Sequence, residues 1–102
     1  MSETSYMLTL TEVSQSVHLK TESVMAIVEC GIVEPRGDRP EKWLFEPQMV
    51  TLIHRACRLR RDLELDWPAV ALALDLIENL QTLRDENQRL RRQLAALMEL
   101  EE

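Results

Sequence analysis

The spacing of apolar residues changes several times along the chain, and each change marks an element. Tyr6 to Leu10 reads as a short strand, and Thr11 then offers a hydroxyl to cap a first helix. Val13 and Val17 lie one turn apart on that helix's inner face. A second helix is predicted from Glu22 to Cys30, capped by Thr21. Val24, Ile27 and Val28 form its stripe, Met25 lies beside it, and Gly31 ends it. Two short helices joined by a tight polar link predict a helix-turn-helix.

Glu34 to Glu41 holds Pro35, Gly37 and Pro40 among charges and reads as a turn. Ile32 and Val33 before it are predicted to pair with Trp43 to Phe45 after it, forming a hairpin wing. A third helix is expected over Pro47 to Leu63. Met49, Val50, Ile53, Ala56, Cys57 and Leu63 occupy one side, and Arg55, Arg58, Arg60 and Arg61 the other. Asp66 or Trp67 then caps a fourth helix, with Pro68 in its first turn, where a missing N–H is harmless.

Nothing interrupts that fourth helix after Pro68. Ala69 to Ile77 is apolar on nearly every side except at Asp75, so it needs cover from two directions. Beyond it Leu80, Leu83, Asn87, Leu90, Leu94 and Leu97 follow in alternating steps of three and four, a heptad seam with Leu80, Asn87 and Leu94 at a. Leu76 precedes this seam as a further candidate contact. Such a stripe predicts a homodimer; folding back onto its own domain is the alternative. A buried Asn87 would meet its equivalent and fix register, and Glu86 at g with Arg91 at e suits parallel helices. The predicted fold is mainly α: a winged helix-turn-helix with a small β wing over residues 1–66, then a long C-terminal dimerisation helix over 67–102.

The charge distribution decides what such a module can read. The chain of 102 residues carries a formal net charge of -6. Residues 1–34 hold one lysine against five glutamates, residues 35–64 seven basic against five acidic side chains, and residues 65–102 four against eight. A duplex-reading helix-turn-helix needs cations on its second helix and wing, because phosphate contacts supply most of the affinity. Here the second helix offers Glu22 and Glu29 and no arginine or lysine, and Glu34 follows closely. Nucleic acid is therefore not the expected partner. The arginines of the third helix are the counter-argument. Arg58–Asp62 and Arg60–Glu64 are spaced to pair along the helix, yet base precedes acid, the weaker order, which leaves these charges room to serve a partner.

Other chemistry finds little support. Cys30 and Cys57 lack metal-ligand spacing and read as small core side chains, and His18 and His54 lie far apart. No phosphate-cradling loop or nucleophile pairing is evident, and the adjacent Glu101 and Glu102 sit at the tail. The expectation is a non-enzyme with no cofactor and no metal. No basic stretch followed by an apolar run opens the chain, and no segment has the roughly 18 apolar residues of a membrane span, so the cytoplasm is the default location.

Two levels of resemblance follow from these residues. Leu8 to Phe45, with TLTEV, then GIVEP and a WLF strand, resembles a MerR-type winged helix. GIVEPRG at 31–37 and RACRLRRDLELDWPAVALALDLIENLQTL at 55–83 resemble the CbpM family, bacterial modulators of the J-domain co-chaperone CbpA. The resemblance implies a MerR-like dimer that binds the CbpA J-domain and keeps it from the Hsp70 chaperone DnaK; any nucleoid association would come through that partner. A J-domain presents a basic helix, so a competitor should be acidic. The candidates are Glu22, Glu29 and Glu34 around the second helix, and Asp62, Glu64 and Asp66 at the junction beside Trp67. Trp43 and Trp67 themselves read as core. The MerR resemblance implies antiparallel dimer helices, whereas the seam's own charges suit parallel ones, and both orders stay open.

Overall fold

The computed structural model describes residues 6–101; Met1 to Ser5 and Glu102, with the readings placed on them, lie outside the described residues. The elements are β1 (Leu8–Thr9), α1 (Leu10–Val17), α2 (Thr21–Glu29), β2 (Leu44–Phe45), α3 (Pro47–Leu63) and α4 (Trp67–Glu101), with a 3-10 turn at Pro40–Lys42. Contacts divide the chain into one unit ending at Leu72 and another beginning at Ala73.

The first unit begins with a strand shorter than expected. Thr9, not Thr11, starts α1: Glu12 N donates to Thr9 Oγ1 at 3.2 Å and Thr9 N donates to Glu12 Oε1 at 2.8 Å. This reciprocal capping box satisfies two N–H groups that a helix start leaves open. The pattern Thr-x-x-Glu from Thr9 carried that signal, and the apolar residues on both sides of Thr9 hid it by reading as a longer strand. His18 ends α1 in the left-handed region (φ 59), and the Ser14 hydroxyl donates to the Leu19 carbonyl within the same turn. α2 starts at Lys20 without a side-chain cap, so Thr21 is its first residue rather than its cap. Gly31 does adopt a positive φ of 80°, and its N–H donates to the Val28 carbonyl at 2.9 Å.

The wing is the largest departure from expectation. Leu44–Phe45 pairs antiparallel with β1, Leu8 opposite Phe45 and Thr9 opposite Leu44, not with Ile32 and Val33. Arg36 closes the wing from the other side, exchanging backbone hydrogen bonds with Leu44 at 3.0 and 2.9 Å. Val33 is buried in the core instead. An apolar pair after a helix can be a strand or a core plug, and periodicity alone does not separate them.

The core gathers one or two residues from each of α1, α2, β2 and α3, with Val33 from the loop after α2. Val13, Val17, Val24, Ile27, Val33, Phe45 and Ile53 form one cluster, with Trp43, Met49, Val50, Cys57 and Trp67 partly buried against it. Trp43 meets Phe45 edge-on at 6.1 Å. α3 spans the predicted residues and buries Ile53 and Ala56, while Leu63 stays exposed at its end. Glu64, at φ 54, closes α3, and Asp66 opens α4 by accepting from Ala69 N at 2.9 Å. Val70, one turn into α4, is fully buried, which anchors the start of that helix in the first unit.

Three substitutions test these devices. Thr9→Ala should lower unfolding free energy by about 1 kcal/mol in urea titrations, and Thr11→Ala should leave it nearly unchanged. Gly37→Ala should be worse than either, because φ is +116° there and a methyl group would run into the Lys42 carbonyl.

Candidate functional surfaces

Each acidic candidate lies on the surface, and the elements sort them into two groups. Glu22 and Glu29 are exposed and seven residues apart on α2, opposite the buried Val24 and Ile27. Seven residues is nearly two whole turns, so both carboxylates share one stripe, separated by about 10 Å along the axis. Met25 and Ala26, half-buried, lie between them. Glu34 is exposed where the chain leaves α2 for the wing. No lysine or arginine occurs in α2, so its outward face is anionic.

The second group occupies the elbow between α3 and α4. Asp62 accepts from Arg61 Nε at 3.3 Å, Glu64 is the left-handed closing residue of α3, and Asp66 is the cap of α4. The expected Arg58–Asp62 and Arg60–Glu64 pairs are absent among the described residues. Arg60 instead lies over the Trp67 ring, its guanidinium carbon 4.8 Å from the centroid. A cation on an indole face is worth roughly 0.5–1 kcal/mol where water reaches it, comparable to a surface ion pair without the need to order a second flexible chain. The left-handed turn at Glu64 takes its backbone out of the helix, where an i,i+4 partner would have to stand. Asp66 therefore has a structural duty as well as a charge.

The seam occupies the second unit. Leu80, Leu83, Leu90, Leu94 and Leu97 are 47 to 65 % exposed, and Leu76, placed at d by the same register, is 59 % exposed. Asn87 Oδ1 accepts from Arg91 Nε at 2.8 Å, and Glu86 pairs with Arg89. The polar side chains assigned to interchain contacts thus have partners within their own helix. Six exposed leucines on one stripe form a large apolar surface for a chain of this size.

The remaining chemistry is sparse. Among the described residues, no group of three or more His, Cys, Asp or Glu side chains could hold a metal ion, and no helix is long and apolar enough to cross a membrane. Both cysteines are free thiols, partly buried. Burial pushes the Cys57 thiol up from its ordinary range, against the opposing pull of Arg60 and Arg61. A raised thiol pKa keeps the neutral form at physiological pH and delays thiolate formation. In a Cys30→Ser variant, alkylation of Cys57 by iodoacetamide should accelerate only at higher pH than in the urea-unfolded chain. Coinciding profiles would mean that the thiol is not desolvated.

Comparison with known proteins places this architecture. Residues 8–92 match the model of the MerR HTH family of regulatory proteins. A chaperone modulatory protein CbpM from Pseudomonas putida (strain GB-1) is 45% identical over 86 residues, 84% of this chain and 85% of its own length. The protein of that name from Pseudomonas entomophila (strain L48) is 42% identical over 86 residues, with the same shares covered. That from Escherichia coli O139:H28 is 36% identical over 95 residues, 93% of this chain and 94% of its own length. The winged helix-turn-helix, the long final helix and these identities together show that the chain belongs to the MerR helix-turn-helix family, among the chaperone modulatory proteins CbpM.

Proposed function

We propose that the protein modulates a chaperone system by binding the J-domain of a CbpA-type co-chaperone and keeping it from the Hsp70 chaperone DnaK. The chaperone-modulating role follows from the relatives' names; the target is argued from charge. The observation that carries it is the outward face of α2, where a duplex-reading helix needs cations and this one carries Glu22 and Glu29. A basic helix laid along that face would meet two carboxylates nearly two turns apart with Met25 between them, and methionine adapts its shape to a partner surface. Glu34 and the elbow acids Asp62, Glu64 and Asp66 extend the candidate surface.

Dimerisation completes the reading. A second copy would cover Leu76, Leu80, Leu83, Leu90, Leu94 and Leu97, and Asn87 would exchange its bond with Arg91 for one across the seam. Burying a leucine is worth about 1.5–3 kcal/mol, so this stripe has ample driving force for association. Action as a DNA-binding MerR regulator is the competing reading, and the free cations of α3 are what favours it.

Titration of a fluorescent CbpA J-domain should show saturable binding that weakens as salt rises. Glu22→Lys with Glu29→Lys should weaken it by tenfold or more, each lost charged contact being worth about 1.5 kcal/mol or more. Asp66→Asn keeps the helix cap and removes the charge, so loss of binding there would assign Asp66 to the interface rather than to folding. No binding at micromolar concentration, with tight capture of a DNA duplex, would sink the proposal. Sedimentation should show a dimer that Leu83→Asp with Leu90→Asp converts to monomer; a wild-type monomer would refute the pairing.

A further inference from the structure

The arginines of α3 are left over when the fold and the J-domain reading are complete. Among the described residues, Arg55 and Arg58 make no ion pair, and Arg61 has only its neighbour Asp62, at 3.3 Å. All three are exposed on the side of the helix away from the buried Ile53 and Ala56. Steps of three residues spread them over about 120° of the helix surface, centred on Arg58, with a rise of about 9 Å. This cationic face belongs to a chain whose net charge is -6.

We propose that the outward face of α3 is a second docking surface, which takes an acidic polypeptide helix. Guanidinium forks bind carboxylates in two-pronged fashion, and a ladder with axial steps of about 4.5 Å matches the rise between carboxylates three residues apart on a helix, the long arginine stems spanning the sideways offset. Half-buried Leu59, one turn after Arg55, gives the ladder an apolar edge that a polypeptide side chain can cover. A nucleic-acid duplex fits less well. It needs cations over a wider footprint, and the wing adds little to it: Arg36 lies 3.6 Å from Glu46, Arg39 has its neighbour Asp38 at 4.0 Å, and Lys42 is the one wing cation with no ion pair among the described residues. Acids on α2 and bases on α3 then let one chain hold two partners of opposite charge, so this surface works independently of the J-domain reading.

The probe is a fluorescein-labelled helical peptide with glutamates three and four residues apart and interspersed leucines, followed by anisotropy with the full chain. Saturable binding in the micromolar range is expected, weakening about tenfold for each of Arg55→Glu and Arg58→Glu. Arg58→Gln should give an intermediate loss, and circular dichroism should report folded protein throughout. Glu22→Lys should leave peptide binding intact, and Arg58→Glu should leave J-domain binding intact. Failure of the peptide to saturate, indifference to arginine reversal, or tighter capture of a short DNA duplex at the same salt would each overturn the proposal. So would a change of sedimentation coefficient on Arg58→Glu, which would make this face a contact between copies.

Discussion

Phe45 is the residue around which the first unit is assembled. It lies on a strand of two residues, is fully buried, and shares one cluster with Val13 of α1, Ile27 of α2 and Ile53 of α3. Of the four aromatic side chains in the chain it alone is completely buried, while Trp43 and Trp67 pack against the cluster from its edge. The pairing of β2 with β1 sets the height of Phe45 above the helices, and the capping box at Thr9 sets where β1 gives way to α1. These features hold one another in place, so the wing and the helix-turn-helix form one cooperative body.

That body gives a charged surface its geometry. α2 faces outward because Val24 and Ile27 must face inward, so its glutamates are displayed by default. α3 faces outward through Arg55 and Arg58 for the same reason. Opposite charges thus appear on separate helices without meeting, because each helix is held by its apolar side. Exposed positions on such a scaffold can change sign with the core intact, because the packing depends on the inward apolar positions alone.

The elbow between α3 and α4 shows how local requirements compete. Arg60 could have joined Glu64 along the helix; the left-handed turn at Glu64 and the indole of Trp67 offered another arrangement. Asp66 serves as cap while remaining a surface carboxylate. Residues with two duties are the hardest to assign from a list of charges, since their removal disturbs folding and binding together.

The sequence by itself determined most of the helices. α3 begins at Pro47 and ends at Leu63 as its period indicates, and Asp66-Trp67-Pro68 marks the start of α4, because caps, prolines and three-to-four spacing act within one turn of chain. It also determined the sign of each exposed face and the three-and-four spacing that puts six leucines on one stripe of α4. Tertiary structure decided what those local signals leave degenerate: that Phe45's strand pairs with β1 rather than with Val33, that Thr9 caps α1, and that Arg60 stacks on Trp67. Each of these depends on a partner chosen from several of equal local merit. The choice is made by which arrangement buries Val33 and Phe45 together, and burial is a property of the whole unit rather than of any window of sequence.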